Sequence, residues 1–322
     1  FKDNTVTGNS GSGGYFNDVY GAVEATGNVL RDNTGTGLRF HKRDAGAITI
    51  KENEVTGGHG DESGITLYHN GGGNAQVSAN TVSGGHGYGI RVENGSQYVK
   101  PQIKDNVIKE NGNSGIRTTG KVLPEVSGNT LDGNGNGMEF DYSDPDSGGE
   151  FEVSGNAVLN STGYGIQLNG YAKPKISLND MYGAGGFAVE NRTVREINAK
   201  NNWWGAGVTA LMDGGGNPQN LAVIYDVYDE DSKGFVNYGG WLDASGGTPT
   251  AVTGTGSIAL TDAAGVEQLN FATDSTLYIR VTDADRNTDS GTAETVSATI
   301  ASETETTAET VTLTETGANT GI

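Results

Sequence analysis

The residues best able to do chemistry are arginines, carboxylates and aromatics that recur at one repeat position. Two and four residues after a recurring glycine, one row runs Arg39, Thr66, Arg91, Arg117, Glu139, Gln167 and Ala188. The other runs His41, Tyr68, Glu93, Thr119, Asp141, Asn169 and Glu190. On a strand such alternate positions share one face. If the strands stack, the rows form a mixed-charge stripe in which Arg39, Tyr68, Arg91, Arg117, Glu139 and Asp141 are candidates to bind glycan. Paired carboxylates beside arginine would suit acid/base cleavage of polysaccharide, and an exposed strand face that merely alternates charge would look the same.

Asp283, Asp285, Asn287 and Asp289 place oxygen ligands at alternate positions, and Glu294 falls twelfth from Asp283, where helix-flanked calcium loops put a bidentate acid. Thr288 stands where such loops need glycine, and the flanks read as strands. Calcium is a candidate cofactor here, and more weakly at Asp226, Asp229, Glu230 and Asp231; the alternative is an acidic, solvated loop with Asx turns in which Glu294 merely opens the next strand. His59 and His86, each six residues past a repeat Asn and with Asp61 nearby, would lie one repeat apart; a duplicated turn explains them more simply than a metal. Asp132 to Gly137 aligns with the ordinary turn of other repeats and is rejected as a calcium loop. No phosphate loop, nucleophile elbow or dinucleotide fingerprint occurs. Asn94, Asn160 and Asn191 open glycosylation sequons, a few of which arise by chance in such a composition.

The elements that must position these residues follow from an internal period. An Asn followed two residues later by an apolar side chain recurs at Asn4, Asn28, Asn53, Asn80, Asn106, Asn129, Asn156, Asn179 and Asn201, in steps of 24, 25, 27, 26, 23, 27, 23 and 22. A second element opens with glycine and alternates, as in Gly64-Ile65-Thr66-Leu67 and Gly89-Ile90-Arg91-Val92. A third apolar position precedes the Asn by three, at Ile50, Val77, Ile103, Val126, Val153 and Ile176. Each unit therefore reads as three short strands separated by Gly/Asn turns, and only stacked neighbours can bury their apolar residues. The expected fold class is all-β: a right-handed parallel β-helix of about nine coils. Asn28, Asn53, Asn80, Asn106, Asn129, Asn156 and Asn179 form its structural ladder, passing amide hydrogen bonds from coil to coil.

Residues 244–250 read as a linker and residues 251–322 as a second module. Five strand patterns are expected there, at 257–260, 268–271, 276–282, 294–301 and 309–315. From residue 248 on there are 11 acids against Arg280 and Arg286.

The chain of 322 residues carries 53 Gly, no Cys, 20 Lys and Arg, and 40 Asp and Glu, a net charge of −20. A nucleic-acid partner is excluded by that charge, disulfides and thiolate metal sites by the lack of cysteine, and membrane insertion by the lack of any roughly 20-residue apolar stretch. The absence of cysteine leaves the compartment open.

Residues 1–243 resemble the carbohydrate-associated, NosD-like right-handed β-helix repeat proteins. The resemblance is most specific at Asn201-Asn202-Trp203-Trp204-Gly205, Tyr225 to Asp229 and Trp241-Leu242. It implies a segment that closes the last coil, with Trp203, Trp204 and Trp241 as an end cap. Residues 251–322 resemble the immunoglobulin-like modules of large prokaryotic surface proteins, though five strands fall short of a seven-stranded sandwich and leave it incomplete. The first and last residues look cut from a longer polypeptide or completed by a neighbouring molecule. The implied function is a secreted or cell-surface structural protein, part of a surface layer, adhesin stalk or fibre, self-associating with calcium. The alternative is a polysaccharide lyase, hydrolase or epimerase, or a non-catalytic glycan binder, using the stripe.

Overall fold

The repeating unit builds three parallel sheets. The computed structural model describes residues 1–58, 63–85, 87–146, 148–215, 217–250, 257–268, 270–272, 275–282, 292–293, 295–300, 307 and 309–316. The contacts divide the chain into two units, Phe1–Thr250 and Ala251–Ile322.

In the first unit the strand after each repeat Asn enters the first sheet, the glycine-opened strand enters the second, and the strand before the next Asn enters the third. The first sheet holds eight strands and the other two hold nine. All pairings in them are parallel, and the result is a right-handed solenoid of about eight turns. The ninth strands of the second and third sheets, Ile224–Tyr225 and Val236–Asn237, come from the closing segment. The expected count of nine coils is corrected accordingly. After Asn202 the chain passes through Trp203 and Trp204 into the helix Ala206–Asp213 rather than into another coil.

Alternation sorts the side chains. Leu38 and Phe40, Ile65 and Leu67, Ile90 and Val92, Met138 and Phe140, and Ile166 and Leu168 point inward from the second sheet and are wholly buried. Facing them are Leu30, Val55, Val82, Ile108 and Leu131 from the first sheet, and Ile50, Val77, Ile103, Val126 and Val153 from the third. Burial of each such side chain is worth about 1.5–3 kcal/mol relative to exposure. The glycine that opens each second-sheet strand is dictated by this core. A Cβ at Gly37 would stand 2.2 Å from Val55 Cγ1, and at Gly64 the same distance from Val82 Cγ1.

Residues 244–250 do not run free as a linker. Thr250 N donates to Trp241 O at 2.8 Å, Leu242 bridges Pro249, and Thr248 Oγ1 donates to Asp243 at 3.1 Å, so the segment folds back as a turn of the first unit.

In the second unit, Ser257–Thr261 pairs antiparallel with Tyr278–Thr282, and Thr295–Ile300 with Glu309–Thr314. The strand expected at 268–271 is absent among the described residues. The chain instead turns tightly at Asp262, whose carboxylate accepts from Ala264 N and Val266 N at 2.9 and 3.0 Å. Of this unit's described residues only Thr261 is buried.

Candidate functional site

The solenoid has three corners. The first, between the third and first sheets, holds the asparagine column. Asn53 is representative: its Nδ2 donates to Lys51 O at 3.0 Å, Ala25 O at 2.9 Å and Asn80 Oδ1 at 2.9 Å, and its Oδ1 accepts from the N and Nδ2 of Asn28 at 3.1 and 2.8 Å. The same links join Asn80, Asn106, Asn129, Asn156 and Asn179. The last rung is Asn202, which accepts from Asn179 Nδ2 at 2.9 Å and is fully buried. The sequence reading put Asn201 there. Asn201 is instead the left-handed residue before it, at φ +60°, equivalent to Glu52, Ala79, Asp105 and Leu178. A two-residue Asn-Asn run makes the register ambiguous by one.

That shift also exchanges the tryptophans. Trp204 points inward, 1% exposed, and closes the core, while Trp203 lies outside against Tyr182 with ring centroids 5.0 Å apart. Trp241 is buried, and its Nε1 donates to Asp213 at 2.8 Å.

A shorter second asparagine column went unread. Asn9 with Asn33, and Asn111 with Asn134, link amide to amide at 2.9 Å at the second corner. Its signal was an Asn five residues after the ladder Asn, replaced by Gly58 and Gly85 in the intervening turns.

The stripe lies on the outer face of the second sheet. Pairing places Tyr15, Arg39, Thr66, Arg91, Arg117, Glu139, Gln167, Glu190 and Tyr225 in one row. His41, Tyr68, Glu93, Thr119, Asp141 and Asn169 form the other. Glu190 thus belongs to the first row and Ala188 to neither. Ala188 stacks over Gly165, taking the place of the opening glycine, so the expected assignment is off by two at that turn.

Most charge on the stripe is compensated within it. Arg91 pairs with Glu93, and both Arg91 and Arg117 stack on Tyr88 at 5.3 and 5.0 Å. Arg117 lies 3.5 Å from Glu139, which also accepts from Ser114 Oγ at 3.0 Å. Glu190 takes Gln167 Nε2 and Arg192. Arg39 differs: its guanidinium lies between Tyr15 and Tyr68, 5.4 and 5.2 Å from their ring centres, and its Nε donates to His41 Nε2 at 3.2 Å. Burial and the neighbouring Arg39 and Arg43 hold His41 below the usual histidine range.

The third corner, between the second and third sheets, holds groups the sequence reading overlooked. Lys42 and His69, paired in register, point inward and are 0% exposed. Lys42 Nζ contacts the Asp44 carboxylate. His69 Nε2 donates to Gly73 O at 2.6 Å, so its proton is assigned there, and burial lowers the pKa of the ring. Farther along, Asp144 accepts from Tyr98 Oη at 2.6 Å and pairs with Lys121 at 2.8 Å. These bonds, Lys121 first, lower its pKa to about 2.

The acidic cluster of the closing segment is hydrogen-bonded within that segment. Asp226 is buried and accepts from Val236 N and Tyr228 N at 2.9 and 3.0 Å. Glu230 takes Tyr225 Oη, Ser232 Oγ and Lys233. Among the described residues no group of three or more metal-binding side chains occurs. The expected calcium loop, Asp283, Asp285, Asn287, Asp289 and Glu294, lies outside the described residues, as do His59, Asp61 and His86. No described helix is long and apolar enough to cross a membrane.

A groove of about 600 Å³ on the third sheet is lined by Phe151, Pro174, Lys173, Lys175, Glu150 and Glu152 among others, and its lysines and glutamates pair across it at 3.1 and 3.9 Å. No curated protein and no solved structure matches the chain. Residues 1–147 match the family description of a right-handed β-helix region, which agrees with the handedness and parallel sheets of the solenoid they help build.

Proposed function

We propose that the chain is the stiff part of a secreted or cell-surface structural protein, of the NosD-like β-helix type with an immunoglobulin-like module, serving a surface layer, adhesin stalk or fibre. The supporting observation is the unbroken amide column from Asn4 to Asn202, which ties every turn to the next through buried hydrogen bonds. Its eight links, at roughly 4.8 Å each, make a rod on the order of 40 Å long. Such a rod holds attached groups at fixed separation, and acts when copies join. Calcium assists through the acidic run from Asp283 to Glu294. Negative-stain imaging and light scattering at high concentration, with calcium and with a chelator, provide the test: ordered, calcium-dependent assemblies support the proposal, and a monodisperse monomer in both conditions overturns it.

A glycan-binding role for the stripe is the second reading, favoured by tyrosines interleaved with arginines on one flat face. Catalysis has less support, because Glu93, Glu139 and Glu190 are each held by a neighbouring arginine. Glycan-array binding without product would favour the binder, and turnover of a uronic-acid polymer the enzyme.

A further inference from the structure

The three arginines of the stripe, and Arg192 just past the strand Val189–Asn191, are not equivalent. Arg91, Arg117 and Arg192 each face a carboxylate, Glu93, Glu139 and Glu190. Arg39 has no carboxylate partner among the described residues. Asp18, on the strand of the preceding turn, is taken by Arg43 at 2.5 Å. Arg195 and Arg280 also lack an acid among the described residues, but each gives a terminal nitrogen to a backbone carbonyl, Pro145 O and Gly265 O, whereas Arg39 does not.

The surroundings of Arg39 fix its geometry without consuming its fork. Tyr15 and Tyr68 flank the guanidinium, and His41, packed on Tyr68 with ring centroids 4.5 Å apart and on Tyr15 at 5.6 Å, accepts the Nε proton. His41 can accept only while neutral, which its lowered pKa favours. Both terminal nitrogens of Arg39 therefore have no hydrogen-bond partner among the described residues, and that edge of the guanidinium suits a planar oxyanion held by two parallel bonds. Tyr15 is 55% exposed and offers a ring face beside it.

We infer that Arg39, with Tyr15, Tyr68 and His41, is a subsite for an acidic sugar, the guanidinium holding its carboxylate or sulfate and a tyrosine face stacking on its ring. The inference rests on the glycan-binding reading of the stripe and adds the ligand's charge and the residue that reads it. Aromatic faces on both sides favour a ring-bearing anion over a flexible acidic peptide.

Isothermal titration of the full chain with a short oligogalacturonide, its methyl ester, a sulfated oligosaccharide and a neutral oligosaccharide tests it. The Arg39→Gln and Arg39→Lys variants are compared with Arg31→Gln, a first-sheet control whose partner is Glu54. The expected result is binding of a charged oligosaccharide, weakened about tenfold or more by Arg39→Gln, partly kept by Arg39→Lys and unchanged by Arg31→Gln. Whether the uronide or the sulfated sugar binds tells carboxylate from sulfate. Binding of the ester and neutral sugar as tight as the uronide, and indifferent to Arg39→Gln, overturns the inference while leaving the glycan reading standing. Failure of every sugar to bind overturns both. Retained circular dichroism and melting temperature in the variants separate lost binding from lost fold.

Discussion

The first and third corners of the same solenoid obey opposite rules. At the first corner exactly two residues separate the strands in each turn from Gly27-Asn28 to Leu178-Asn179, one left-handed and one a buried Asn. At the third corner the spacing runs from two residues, between Ile90–Val99 and Gln102–Lys104, to seven, between Asn136–Tyr142 and Glu150–Ser154. One corner satisfies its backbone identically each time. The other varies in length and buries Lys42, His69 and Asp144. The contrast teaches that register need be set only once per turn: with the amide column fixing how each coil sits on the next, the opposite corner is free to change.

The sharpest way to break this comparison is to substitute equivalent amides at both corners. Asn106→Asp removes the Nδ2 protons that serve Val77 O, Lys104 O and Asn129 Oδ1, and sets a carboxylate against three oxygens in a buried column. The expected loss is more than about 3 kcal/mol in urea unfolding, with accelerated hydrogen exchange spreading to neighbouring coils. Asn94→Asp at the third corner keeps the acceptor for Ser96 N and Gln97 N and gives up only the donor to His69 O, so about 1–2 kcal/mol is expected, with exchange rising only locally. Equal losses at the two sites would refute the division of labour.

The broken second column predicts a loss of the size expected at the third corner. Asn111→Ala forfeits the bonds to Asn134 Oδ1, Lys109 O and Gly85 N, for an expected cost of about 1–2 kcal/mol, because Gly85 and Gly58 have no side chain to carry the column further. Lys42→Met replaces a buried ammonium by an apolar chain of similar volume, and the melting temperature should stay level or rise by the equivalent of about 1 kcal/mol.

The smallest effect is that of pH. A buried His69 whose pKa lies below its unfolded value leaves the unfolded chain to bind the proton first. Stability is then full above about pH 6.5 and declines as pH falls through that value toward the folded pKa. Asp144, depressed to about 2, adds a second decline from about pH 4 downward. Melting curves across this range should show the first step shrink in His69→Gln, leaving the part due to His41, and the second weaken in Asp144→Asn.

Which of these features could be read beforehand follows from their physics. The period of the Asn column was legible because one side chain does the same task in every turn. It slipped at Asn201-Asn202, where two identical residues offer two registers, and at Ala188, where no opening glycine marks the strand. Lys42 was legible in principle: in Leu38-Arg39-Phe40-His41-Lys42 it has the parity of the buried residues, and its charge masked that parity. Arg39 was picked out as one of a row, but the absence of an acid beside it depends on partners drawn from other turns. The closing helix Ala206–Asp213 broke the period and had no repeat to predict it.

The neighbours of the first-corner asparagines bear on how the molecule ages. Spontaneous deamidation proceeds when the following backbone nitrogen swings onto the side-chain carbonyl, releasing ammonia through a cyclic imide, and a glycine follower makes that swing easiest. Behind Asn28, Asn53, Asn80, Asn106, Asn129, Asn156, Asn179 and Asn202 stand Val29, Glu54, Thr81, Val107, Thr130, Ala157, Asp180 and Trp203, never glycine. Asn111 and Asn134 of the lesser column are followed by Gly112 and Gly135. The column that sets the register is thereby shielded from slow conversion to aspartate, and the chemical clock of an old molecule runs instead at the second and third corners, where Asn70, Asn94 and Asn169 also precede glycine.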